Sequence, residues 1–100
     1  MTTVTAFYNP DHLIGEVYFI KSVRAWLHTN REAYRTAFSF DTELTGEKAA
    51  EEAFDLSNNP YREFERAEIV GRQRSLSVGD LVLVDENLYF CDRMGWTVVE

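Results

Sequence analysis

The chain has 100 residues, 45% of them hydrophobic, with 17 acidic side chains against 10 Lys and Arg and a net charge of −7. That is one domain of ordinary size, able to bury roughly 65% of the surface its unfolded chain exposes and so to fold without a metal or a disulfide. Its lone cysteine, Cys91, excludes an internal disulfide, and its acidity speaks against direct nucleic-acid contact, because such binders draw affinity from neutralising phosphates with Lys and Arg.

No stretch approaches the ~20 apolar residues of a membrane span. The opening MTTVTAFYNPDH has no basic segment followed by an apolar run. With the unpaired cysteine, this sets the expectation of a protein of the cytoplasm, here that of a bacterial host, with no membrane contact.

In chain order, residues 3–8 (TVTAFY) are β-branched and aromatic and predict a strand. Asn9-Pro10 marks a turn, since the residue before proline is driven out of the helical region. The segment 16–27 is the hardest to place. Read as a strand, it puts Val17, Phe19, Val23, Ala25 and Leu27 on one face, with Lys21 as the exception. Tyr18, Ile20, Ser22, Arg24 and Trp26 fall on the other. Read as a helix, its apolar residues scatter around the axis. Extended structure is therefore predicted, with a reversal at His28-Thr29-Asn30. YRTAFSF (34–40) alternates as a strand with Tyr34, Thr36, Phe38 and Phe40 on one side.

The clearest helix follows, over about residues 46–57. Thr45 stands at its N-cap, and Glu47 lies in the first turn, where the helix dipole favours a negative charge. Ala49, Ala50, Ala53, Phe54 and Leu56 form its apolar side, and Glu47, Glu51 and Asp55 stack on the other. Ser57-Asn58-Asn59-Pro60 ends it. Residues 61–74 predict a short helical turn that becomes extended at 67–70. Strands are predicted at 81–85, 88–92 and 96–99, with reversals at Asp85-Glu86-Asn87 and Met94-Gly95. The sum is a single α+β domain over 1–100: a small antiparallel sheet of about five to six strands packed by one main helix.

The densest turn chemistry precedes the strand LVLVD, in the run Arg74-Ser75-Leu76-Ser77-Val78-Gly79-Asp80. A glycine that adopts positive φ and an aspartate that accepts backbone N–H groups suffice to build a turn. On that reading Gly79 is essential to the backbone, and Arg74 matters little to folding. One glycine without a following GK[ST] is too few for a phosphate loop. Arg72, Arg74, Ser75 and Ser77 still form a candidate anion-binding set, since guanidinium and hydroxyl groups hold phosphate or carboxylate. Trp26 and Trp96 are the large anchors for core or interface.

The run RSLSVGDLVLVD, the strand YFC and the closing GW resemble the C-terminal signature of YodL-like proteins and small relatives from actinobacteriophages and mobile elements. Arg74, Ser75, Ser77, Val78, Asp80, Gly95 and Trp96 stand at the matching places, and the early FYNP (7–10) is similar to the opening of the phage relatives. The resemblance spans the first ten and last thirty residues or so and leaves 11–33 without a counterpart. It implies a phage or mobile-element accessory protein, and no activity is carried over from it.

His12 and His28 lie far apart, with no ligand-spaced Cys, Asp or Glu near both, and Cys91-Asp92 is not a CxxC. No metal, cofactor or catalytic residue is predicted, and nothing marks Cys91 as an activated nucleophile for either histidine. The preferred expectation is a non-enzymatic binding protein whose partner is a host or phage protein, with the strand 16–27 and the acidic helix as contact surfaces. The negative charge is uneven. Asp41, Glu43, Glu47, Glu51, Glu52 and Asp55 face one base, Lys48, whereas four arginines and three glutamates share 62–74. This opens a second reading, an acidic DNA mimic of the antirestriction type. A third is an anion- or nucleotide-binding module at the Arg72–Asp80 loop.

Overall fold

The computed structural model describes residues 1–99, with His12 and Ile14 described by backbone alone. Among these residues, five strands form one antiparallel sheet: β1 (Thr2–Tyr8), β2 (Arg35–Thr42), β3 (Leu81–Val84), β4 (Asn87–Asp92) and β5 (Gly95–Val98), in the order β2-β1-β3-β4-β5. Three α-helices accompany it, α1 (Val23–Asn30), α2 (Gly46–Asn58) and α3 (Glu63–Ile69), with 3-10 segments at Asp11–Phe19, Arg31–Ala33 and Pro60–Arg62. The fold is α+β, as the sequence predicts, but helices cover both faces of the sheet rather than one.

On the first face, α2 lays Ala49, Ala50, Ala53 and Leu56 against Val4, Ala6, Tyr8, Phe38, Val82 and Val84. Small residues on α2 let its axis approach the sheet closely, and Val70 and Leu76 close the layer from the following segment. Thr45 occupies the N-cap position without a side-chain hydrogen bond. At the other end Asn59 turns the chain, its side chain accepting from the Tyr61 N–H at 2.9 Å just after Pro60.

The second face carries Leu81, Leu88 and Phe90, covered by Leu27, Tyr34 and Val99, with Ile20, Val23 and Trp26 packed around them. The extended strand predicted for 16–27 is therefore a 3-10 segment followed by a helix. Ser22 caps α1 by accepting from the Ala25 N–H at 3.3 Å, and Val23, Trp26 and Leu27 recur at helical spacing toward the sheet. The chain runs as helix through His28-Thr29-Asn30 instead of reversing there. Likewise 67–70 is not extended. Residues 63–69 are α-helical throughout, and Val70 is still in helical geometry at the C-cap.

β2 carries a β-bulge. Ala6 pairs with Phe38 but Phe7 pairs with Thr36, so Ala37 is the extra residue. The bulge reverses the alternation of side chains. Phe38 joins the α2 layer, while Tyr34, predicted to share its side, packs in the α1 layer. The Gln73 side chain donates to the Ala37 carbonyl at 2.7 Å, satisfying an acceptor at the irregularity.

Candidate functional site

The Arg74–Asp80 loop is built around one carboxylate. Asp80 is 1% exposed, and its oxygens accept from the backbone N–H groups of Asn9 (2.7 Å) and Ser77 (2.8 Å) and from both terminal nitrogens of Arg74 (2.7 and 2.8 Å). That is a forked, charge-assisted pair of the strong kind. The Arg74 guanidinium also lies over the Tyr8 ring at 4.2 Å and donates to the carbonyls of Ser75 and Asn9. Hydrogen bonding to Asp80 raises the Arg74 pKa above its already high ordinary value.

Two tyrosines fasten the loop from below. The Tyr8 hydroxyl donates to the Arg74 carbonyl at 2.5 Å, and the Tyr34 hydroxyl donates to the Gly79 carbonyl at 2.5 Å. Burial, foremost, pushes both phenols above their ordinary range, and the charge of Asp80 adds to it. Gly79 adopts φ +95°, and a Cβ there would stand 2.5 Å from the Val17 methyl Cγ1. The Gly79 N–H donates to Cys91, and the Cys91 N–H to Asp80, which splices the loop onto β4.

The candidate binding residues are therefore placed as follows. Arg74 is paired inside the protein. The Ser75 hydroxyl donates to the Ser57 carbonyl at 2.7 Å. Ser77 exposes its side chain and uses its N–H in the turn, and Arg72 is exposed on the turn after α3. None of these four lines the concavity beside α1 and Leu88 or the one at the β4–β5 turn. Trp26 lies on the opposite face of the sheet, its ring edge-on to Tyr34 (6.0 Å) and Phe90 (6.4 Å), so it anchors core. The expectation that Arg74 is dispensable for folding gives way to this geometry, because its removal would leave a buried carboxylate without its cation.

The prominent surface lies elsewhere. α2 exposes Glu47, Glu51 and Asp55, and α3 exposes Glu63, Glu65 and Glu68. Arg62 binds both helices together: its guanidinium contacts Glu52, meets Asp55 at 2.9 Å and forks onto Glu65 at 2.7 and 3.0 Å. Hydrogen bonds donated to Glu65, then to Glu52 and Asp55, raise the Arg62 pKa, and Arg62 holds the Glu65 carboxyl below its ordinary value. Beside this cluster, Tyr61 is 95% exposed and Phe64 84% exposed. They stand three residues apart, across the junction of the 3-10 turn and α3. Sequence reading passed over them because it looked for apolar residues as core. The signal was their company, YREFERAE, where neither ring has a Leu, Ile, Val or Met three or four residues away with which to form a buried stripe.

Among the described residues, no group of three or more His, Cys, Asp or Glu could hold a metal ion, and no helix is long and apolar enough to cross a membrane. Cys91 is buried, and burial, first, with nearby carboxylates pushes its thiol up to about 12, far from a reactive thiolate. Compared with family models, with curated proteins and with solved structures, the chain matches none.

Proposed function

We propose that this is a non-enzymatic binding protein that acts by protein–protein contact through its α2–α3 face, with a partner presenting a basic surface. The observation that carries the reading is the pair Tyr61 and Phe64, almost wholly exposed on a segment that also exposes Glu63, Glu65 and Glu68. Exposed aromatics are the side chains most enriched among interface hot spots, and the surrounding carboxylates would steer a cationic partner and fix its orientation. The resemblance of the last thirty residues to phage and mobile-element accessory proteins supports a host or phage protein as that partner, met in the bacterial cytoplasm.

The test is capture from host lysate on immobilised protein, with wild type and Tyr61→Ser/Phe64→Ser side by side. The expected result is a protein retained by wild type, lost with the double variant, and weakened by salt. Nothing retained above background, or equal retention by both, overturns the proposal.

One observation favours a second reading, the acidic DNA mimic. Arg62 gathers two carboxylates of α2, Glu52 and Asp55, and one of α3, Glu65, around a single guanidinium, as a surface of closely spaced negative charges requires. Competition against duplex DNA for a captured partner separates the two: a mimic displaces DNA, whereas an ordinary acidic binder leaves a DNA-binding partner's affinity unchanged.

A further inference from the structure

The stretch around α1, on the other face of the sheet from α2, is rich in basic charge. Between Lys21 and Glu32 stand three basic residues, Lys21, Arg24 and Arg31, against one acid, Glu32, in a chain that is strongly acidic overall. Three side chains of α1 and its extension, Arg24, His28 and Arg31, recur at intervals of four and three and so share one helical face. They line a concavity of 680 Å³ whose other walls include Leu27, Leu88 and Val99. Those three are buried members of the α1 layer.

We propose that this concavity binds a small organic anion with one carboxylate or phosphate head and an apolar body of several carbons. Its size falls within the ~300–1,000 Å³ usual for small-molecule sites, and its polar side chains converge over an apolar floor. The two guanidiniums are held before any ligand arrives. Arg24 donates from Nη2 to the Val99 carbonyl at 3.0 Å, and Arg31 lies over the Phe7 ring at 4.8 Å. Ordering them in advance lowers the entropy lost on binding. Each retains N–H donors beyond these contacts, and a guanidinium presents them in a fork that suits an oxyanion. Glu32 also lines the concavity, and its carboxylate opposes negative charge there, which limits the ligand to one anionic head.

This proposal is independent of the α2–α3 face, which lies across the sheet. The probes are sodium octanoate and octyl phosphate, with inorganic phosphate and hexanol as head-only and body-only controls. Binding is followed by titration calorimetry and by the methyl NMR signals of Leu27, Leu88 and Val99. At least one octyl probe is expected to saturate with shifts at those methyls, and both controls to bind more weakly. Which octyl probe binds better identifies the head. Arg24→Gln/Arg31→Gln is expected to weaken that binding about tenfold or more, and Glu32→Gln to tighten it. No saturable shift up to about 10 mM of either octyl probe, unchanged affinity in the double arginine variant, or weaker affinity in Glu32→Gln would overturn the proposal.

Discussion

Replacing Arg74 with alanine tests the reading of the loop most directly. The substitution removes both nitrogens that Asp80 receives from the guanidinium, at 2.7 and 2.8 Å, and leaves a carboxylate that is 1% exposed with only two backbone N–H donors. Breaking a fully buried ion pair by deleting one partner costs roughly 3–5 kcal/mol. The Arg74 side chain is 33% exposed, so water screens part of the interaction and reaches part of the site. A loss of about 2–3 kcal/mol is the expected result, including the contact with the Tyr8 ring. For a domain of this length that lowers Tm by roughly 10–20 °C.

The assay is urea and thermal unfolding followed by the fluorescence of Trp26 and Trp96. Arg74→Lys provides a second point: an ammonium cannot fork onto both oxygens, and about half the loss should remain. A double-mutant cycle with Asp80→Ala then isolates the pair, with a coupling of about 1–2 kcal/mol expected. If Arg74→Ala melts within about 3 °C of the parent, or the cycle shows no coupling, Asp80 is not held by this guanidinium and the account of the loop is wrong.

Gly79→Val should destabilise by about 3 kcal/mol or more, because it adds a β-branched side chain at φ +95° and drives a Cβ within 2.5 Å of Val17. Gly71→Ala, at φ +71° with nothing within 4 Å, should cost about 1 kcal/mol; equal losses at the two sites, read by urea midpoints, would show that the Val17 contact is not real. Tyr61→Ser/Phe64→Ser should leave the urea midpoint within about 0.5 kcal/mol of the parent, as befits exposed side chains, and a large loss would place these rings in the core. Stability should fall as pH rises above about 9, since the Cys91 thiol, with an ordinary value of 9.0 pushed up to about 12, stays protonated in the folded chain where the unfolded chain ionises. Tyr8 and Tyr34, both raised, extend the decline to higher pH. Below pH 9 these three groups contribute no pH dependence, so a melt that improves between pH 9 and 11 would contradict their burial. Iodoacetamide should accordingly label Cys91 only after unfolding.

The strands and the main helix were legible because each has a single period and clear ends. TVTAFY, LVLV and the alanine-rich stretch bounded by Thr45 and Pro60 needed no tertiary information. The loop was legible in outline: Gly79 does hold a positive φ. What sequence could not supply was the partner of Asp80. Tyr8, Asn9 and Arg74 converge there from opposite ends of the chain, and only the pairing of β1 with β3 brings them together. The Tyr34 error has an equally local cause. A one-residue bulge at Ala37 leaves no mark in an alternating pattern, yet it sends everything on its far side to the opposite face.

The misreading of 16–27 is different, because the information against it was present in other segments. Two periods meet in that region, a 3-10 segment with one repeat and a short α-helix with another, so no single template fits it. β3, however, reads LVLV and β4 reads LYFC, continuous apolar runs rather than alternating ones. A strand whose two sides are both apolar must be covered on both faces. α2 covers one. The other needed a second layer about as wide as β3 and β4, and residues 11–33, whose own pattern was the least decisive, were the long segment free to supply it. A further strand would have widened the sheet and left Leu81, Leu88 and Phe90 facing water; a helix buries them, as α1 does. The demand placed on a segment by its neighbours was stronger here than the segment's own pattern. The same demand explains the basic concavity: α1 is only eight residues long and cannot roof the whole of that face, so a gap remains beside Leu88 and Val99, bordered by Arg24 and Arg31.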